Sequence, residues 1–282
     1  MPDLGTPASA LHNPRELETV AASVARASAA LIRANVGRGT RLGEKSSPTD
    51  VVTRTDLDAE QLIRRLLADA TPGAGVLGEE GGQTPTPARG NEARLQWVVD
   101  PLDGTVNFLY ALPVMGVSVA AALDGDVVAG AVVDVLRDET FSASAGQGAR
   151  LGGSPIGISQ CQSLAQALVM TGFSYRADIR GRQGTIVHSL LPAARDIRCF
   201  GSAALQLCWV GAGRADAYFE RDIKVWDYAA GALIAREAGA VTELPCPEND
   251  GLVIAAPPAV FDALRTVVDQ PSSPYADVRR RG

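Results

Sequence analysis

The chain of 282 residues is 46% hydrophobic and 21% charged, a balance that excludes a fully disordered chain and allows one large core or two smaller ones. Lys and Arg number 26 against 32 Asp and Glu, a formal charge of -6, which argues against gripping bare nucleic acid through its phosphates. The 4 cysteines (Cys161, Cys199, Cys208 and Cys246) form no CxxC pair, which excludes a disulfide scaffold and the common zinc knuckles.

Residues 1–12 are small and polar and read as a flexible start. Asn13 as a cap, Pro14 at the first helical position, and Leu17, Val20, Val24, Ala27 and Leu31 at helical spacing predict a helix that Gly37 stops. A polar loop, 45–55, leads into a second helix over 56–70. Thr55 and Asp58 have the spacing of a capping box there, and Leu62, Ile63, Leu66 and Leu67 form the apolar face. Residues 95–100, 114–123 and 127–136 read as strands, the last two joined by the hairpin signal Asp124-Gly125-Asp126. Residues 114–123 are the longest apolar stretch, about half a membrane span, and no basic segment precedes a long apolar run. A cytoplasmic protein without a secretory signal is expected.

Residues 13–150 are thus expected to form an α+β half, and 151–269 an α/β half. In the second half, strands over 167–171, 197–200, 216–220, 241–244 and 252–256 alternate with helical patterns over 202–210, 226–238 and 259–268. Alternation argues for a parallel or mixed sheet covered by helices, and two such sheets would stack as layers. Residues 270–282 read as a flexible tail.

The strongest chemical signal runs from Trp97 to Phe108: an apolar strand delivers Asp100, and Pro101 stops the pairing and turns Asp103 back towards it. Gly104 permits a tight turn, and a helix could begin at Thr105. A helix start attracts phosphate, whereas paired carboxylates repel it unless a hard divalent cation lies between. Three other segments are suggestive only in this company: Gly78-Glu79-Glu80-Gly81-Gly82, Glu220 with the run Trp226 to Gly231 containing Asp227, and the loop from Lys45 to Asp56. Gly211-Ala212-Gly213 has the opening of a dinucleotide fingerprint but ends a helix instead of starting one.

These segments, in this order and spacing, resemble the inositol monophosphatase family, most closely its bacterial SuhB-type branch, from about Asn13 to Val268. Val106 stands where many relatives have Thr, and Leu102 where Ile is common. The resemblance implies a layered αβαβα sandwich, commonly homodimeric, that hydrolyses phosphate monoesters with Mg²⁺ and is inhibited by Li⁺. It implies Glu79, Asp100 and the Leu102 carbonyl at a first metal, Asp100, Asp103 and Asp227 at a second, and Glu79 aiding a third through water. Asp56 and Thr105 would orient and deprotonate the attacking water. Gly104 and Thr105 would cradle phosphate, while Asp103, Gly201, Ser202, Ala203, Glu220 and Asp227 would face the alcohol; Lys45 lies in the family's mobile metal-site loop. The expected substrate is inositol monophosphate. Other small esters (fructose bisphosphate, 3′-phosphoadenosine phosphate, histidinol phosphate) and a SuhB-like role in RNA processing or transcription are the alternatives.

Overall fold

The computed structural model describes residues 13–38, 41–44, 51–85 and 93–269. Lys45 and both terminal segments, 1–12 and 270–282, lie outside the described residues.

Helix α1 (Pro14–Asn35) starts where Asn13 Oδ1 accepts from the Arg15 amide at 3.0 Å. A short hairpin, β1 (Arg41–Glu44) and β2 (Val51–Thr53), leads into α2 (Arg54–Ala70). The capping box of α2 is Thr53 with Asp56, not Thr55 with Asp58, so the helix begins earlier than its sequence suggests. After α2 come β3 (Gly75–Gly78), β4 (Gly82–Thr84), β5 (Leu95–Asp103) and the short helix α3 (Thr105–Leu109). An antiparallel meander follows: β6 (Gly116–Leu123), β7 (Asp126–Asp134), β8 (Glu139–Ser144), β9 (Ala149–Leu151) and β10 (Ser154–Pro155). Asp124 and Gly125 join β6 to β7 with φ of 50° and 100°, the paired left-handed residues of a type I′ turn.

The alternating part contains β11 (Leu168–Thr171), α4 (Ala177–Leu190), β12 (Asp196–Cys199), α5 (Ala203–Gly211), β13 (Ala217–Arg221) and α6 (Val225–Glu237). It ends with β14 (Val241–Glu243), β15 (Leu252–Ala256) and α7 (Pro258–Asp269).

Among the described residues the larger sheet has the order β10-β9-β8-β7-β6-β5-β3-β4, and the smaller the order β12-β11-β13-β15-β14. In the smaller, β11 runs parallel to β12 and β13, while β15 is antiparallel to β13, so the sheet is mixed. Helices α1 and α2 cover the outer face of the large sheet, α5 and α6 lie between the sheets, and α4 and α7 cover the outer face of the small one. Each interval has its own apolar core, the central one built on α5 and α6. This is the αβαβα layering expected.

The middle layer is seated closely. A Cβ added at Gly130 of β7 would lie 3.0 Å from the Ala230 Cβ of α6, and one at Gly231 would lie 2.9 Å from the Ala204 carbonyl oxygen of α5. Small residues at these points let α6 press against both the sheet and its neighbouring helix.

Candidate active site

Strand β5 is buried from Trp97 through Asp103, and Pro101 interrupts its pairing without ending it. The ladder with β6 is irregular between Asp100 and Asp103 and resumes where Asp103 faces Gly116. The expected stop is therefore a bulge, which re-aims side chains while the strand continues. Within it, Asp100 Oδ1 accepts from the Leu102 amide at 2.9 Å.

Asp103 reaches across to the start of α5. Its Oδ2 accepts from the Ser202 hydroxyl at 2.6 Å and the Ala204 amide at 2.7 Å, and its Oδ1 from the Ala203 amide at 3.3 Å. A carboxylate on otherwise unpaired helix-start amides is stabilised by them and fastens residues 201–204 to the end of β5. Gly104 follows with φ of 104°, and a Cβ there would lie 3.1 Å from the carbonyl oxygens of both Val114 and Gly201. Only glycine fits that step into α3. Asn107 then donates to the Val114 carbonyl at 2.8 Å and the Phe200 carbonyl at 2.6 Å, holding the loop before Gly201 from the other side.

Thr105 opens α3, and its hydroxyl lies 2.8 Å from Asp56 Oδ1 and 3.1 Å from the Leu102 carbonyl oxygen. Asp56 is fully buried; its Oδ2 accepts from the Thr53 amide at 2.9 Å and also from the Thr53 hydroxyl. The residue thus caps α2 with one oxygen and serves Thr105 with the other. Glu79 lies in the turn between β3 and β4. Asp227, third in α6, accepts from the Lys224 amide at 2.6 Å, and Glu220, on β13, accepts from the Tyr218 hydroxyl at 2.7 Å.

Glu79, Asp100, Leu102, Asp103, Gly104, Thr105, Gly201, Ser202, Ala203, Glu220 and Asp227 all line one cleft of about 450 Å³, with Asp56 behind Thr105. Residues of the cleft that sequence reading did not single out include Phe173, Tyr175, Arg176 and Lys224.

The acids of this cleft strain against each other. Burial, then the charges of Glu79, Asp103 and Asp227, hold the Asp100 carboxyl well above the usual carboxylate range. Asp227 is raised in the same way, by burial and then by Asp103 and Glu79. Burial lifts Asp103 to about 6 despite the opposing hydrogen bond from Ser202. Such a set asks for positive charge. Among the described residues no three acidic, His or Cys side chains close into a ready metal cage, and the open set of carboxylates with the Leu102 carbonyl is all oxygen. That chemistry fits Mg²⁺, which takes few protein oxygens and keeps waters and substrate phosphate, better than zinc, which favours His and Cys.

Burial also lifts Glu220, from 4.5 to about 8, with the charges of Asp103 and Asp222 adding to it. The folded chain therefore holds a proton there that the unfolded chain releases between those values. The stability this group contributes is full below about pH 4.5 and is lost as pH rises through about 8. Glu220→Gln should flatten that part of the decline by on the order of a few kcal/mol. Urea denaturation of the metal-free protein at about pH 5 and about pH 9 measures it; a decline unchanged by the substitution would contradict the assignment.

A profile of the inositol monophosphatase family matches residues 13–270. The chain is 45% identical to an inositol-1-monophosphatase of Mycobacterium leprae, over 90% of this chain and 93% of that one. It is 37% identical to a protein of Pasteurella multocida called Nus factor SuhB, over 78% of this chain and 84% of the other. The solved structure of Mycobacterium tuberculosis SuhB superposes with a TM-score of 0.78 at 39% identity, covering 91% of this chain and 97% of that chain.

Proposed function

The chain belongs to the inositol monophosphatase family and is a phosphoric monoester hydrolase; from that membership we propose that it is a Mg²⁺-dependent enzyme releasing phosphate from inositol monophosphate. The observation that carries this reading is the convergence of four mutually raised or raising carboxylates on one cleft, beside the Thr105–Asp56 hydrogen bond. Glu79, Asp100, Asp103, Asp227 and the Leu102 carbonyl would hold the cations. When bound, these supply the charge that lets a nucleophile approach a phosphate dianion and the acidity that makes hydroxide available at neutral pH.

The chain's own residues do the rest. Thr105 donates its hydroxyl hydrogen to Asp56, which leaves a lone pair on Oγ1 to accept a hydrogen bond from water. Asp56 receives the water's proton through that hydroxyl, and the Thr53 amide holds the carboxylate in place. The amides of Gly104 and Thr105 face the phosphate. Ser202 and Ala203, fixed by Asp103, and Glu220, fixed by Tyr218, border the alcohol.

Phosphate release from a panel of monoesters, with and without Mg²⁺, tests the proposal. Inositol monophosphate should be preferred over β-glycerophosphate, fructose bisphosphate, 3′-phosphoadenosine phosphate and histidinol phosphate, no ester should turn over without the cation, and Li⁺ should inhibit where Na⁺ does not. Preference for another ester, or turnover after chelation, would overturn it. A homodimer, implied by the family resemblance alone, goes with this reading; light scattering tests it, and a single-chain mass in solution would overturn it. The likeness to a Nus factor SuhB favours a second role with the transcription machinery, tested by pull-down with a variant lacking phosphatase activity.

A further inference from the structure

Helix α2 sends two buried carboxylates out of the same face, one turn apart. Asp56 serves Thr105; Glu60, only 3% exposed, serves something else. Its Oε2 accepts from the Glu80 amide at 2.7 Å and its Oε1 from the Gly81 amide at 2.8 Å. The Arg64 Nε donates to the same Oε1 at 2.7 Å, and the rest of that guanidinium donates to the Gly82 carbonyl at 2.5 Å and the Thr84 hydroxyl at 2.9 Å. The pair therefore grips the β3–β4 turn on both sides of its bend.

The turn's glycines are shaped by this grip. A Cβ at Gly78 would lie 2.5 Å from Glu60 Oε1, and one at Gly81 would lie 2.7 Å from it. Real Cβ atoms do not come so close, so the residues flanking Glu79 and Glu80 are small because the Glu60 carboxylate occupies their side-chain space. An ordinary helix-surface ion pair would need only Arg64. Two backbone amides on a buried carboxylate are a tether between elements.

We propose that Glu60, with Arg64, is a positioning residue that fixes the Glu79 turn against α2 and so presets the Glu79 carboxylate for the divalent cation. The inference rests on the proposed role of Glu79 as a metal ligand and adds the residue that aims it. It also makes α2 a common mount for the proton acceptor Asp56 and, through the tether, for one metal ligand, so that both keep one spacing.

The test is Mn²⁺ binding by the full chain, read as free Mn²⁺ by electron paramagnetic resonance, beside the melting temperature without metal. Glu60→Gln keeps size but turns an amino group towards one of the two amide donors. It should raise the half-saturating Mn²⁺ concentration about tenfold or more, the range seen when a residue supporting a ligand is lost. Turnover should return to within a few-fold of wild type at saturating cation. An unchanged Mn²⁺ titration in folded Glu60→Gln overturns the proposal, whatever happens to the melting temperature. If that variant does not fold, Arg64→Met is read the same way: a severalfold weaker titration supports the tether and an unchanged one overturns it. Glu79→Gln separates the two layers of the argument. Loss of affinity there with none in Glu60→Gln sinks the tether alone; equal binding by wild type and Glu79→Gln sinks the metal role of Glu79 and the tether with it.

Discussion

Asp100→Asn is expected to abolish turnover while leaving the metal-free protein as stable as wild type, or more so. Asp100 is buried at the bulge of β5, and burial together with Glu79, Asp103 and Asp227 opposes its ionisation. An asparagine can keep the Leu102 amide hydrogen bond on its remaining oxygen, so the bulge persists. What it removes is a negative charge that the folded chain holds at a cost and that cations would neutralise. Because Asp100 is assigned to both principal metal positions, the substitution weakens both, and no other single carboxamide change should be as damaging. Phosphate release across a Mg²⁺ titration and thermal unfolding after chelation are the two measurements. Activity retained at ordinary Mg²⁺, or a marked loss of metal-free stability, would show that Asp100 serves the fold instead of the cation. The opposite pattern is the trade between stability and function that charged catalytic clefts commonly carry.

The second large effect concerns Asp56 and Thr105. From the sequence, Asp56 reads either as a first-turn acid of a helix or as part of a proton path; in the structure it caps the helix and also meets Thr105, the partner that the proposed path requires. Its Oδ2 completes the capping box with Thr53, and its Oδ1 accepts from Thr105. In Asp56→Asn the oxygen can still face the Thr53 amide, which places the amino group against Thr105. The Thr105 hydroxyl must then donate elsewhere, with the Leu102 carbonyl 3.1 Å away. We expect turnover to fall about a hundredfold or more, with a stability loss of about 1 kcal/mol for the weakened cap. Thr105→Ala should lose turnover similarly, Thr105→Ser should restore most of it, and the double variant should be little worse than either single one, since both act in one relay. Near-normal turnover in Asp56→Asn, or strictly multiplicative losses, would remove the pair from the mechanism.

The same segment shows why sequence reading placed some features and missed others. It contains two overlapping candidates for a capping box, Thr53 to Asp56 and Thr55 to Asp58, with identical spacing. Local chemistry cannot choose between them. The choice is made by Thr105, 49 positions away, which holds Asp56 in the core. Glu60 was passed over for a related reason: an acid on a helix is ordinarily solvated. Yet Asp56 and Glu60 fall in helical register with Ile63 and Leu67, so both acids lie on the core-facing side, and that register is a usable signal.

Stacked layers were legible because strands β5 to β7 are long apolar runs and strands alternate with helices in the second half, while the αβαβα order itself came with the family resemblance. Strands β1 to β4 and β8 to β10 were not, being short, glycine-punctuated or exposed at one end, and made by pairing more than by their own pattern. Helix α4 contains Gly181 and Gly184 and buries only Gln183, Ile186 and Leu190, too few apolar positions to show a clear face. Asp100, Asp103 and Gly104 were readable as a site because strand end, bulge and helix start follow one another within a few residues. The grip of Asp103 on α5 and that of Asn107 on Phe200 were not, since each spans about a hundred residues of chain.

The close seating of α6 also sets where this fold is free to diversify. With Gly130 beneath it and the Ala204 carbonyl beside Gly231, the helix that carries Asp227 has no space for a larger side chain at either contact. Drift there would displace Asp227, the acid proposed to face a cation, before it altered any specificity. The rim is different: Phe173 and Tyr175 are 41% and 43% exposed, and Asp222 accepts a hydrogen bond from the Ser174 hydroxyl at 2.5 Å. Lineages that acquire a new ester as substrate should therefore record the change in the loop after β11 and the turn before α6, while the glycines of the middle layer stay as they are.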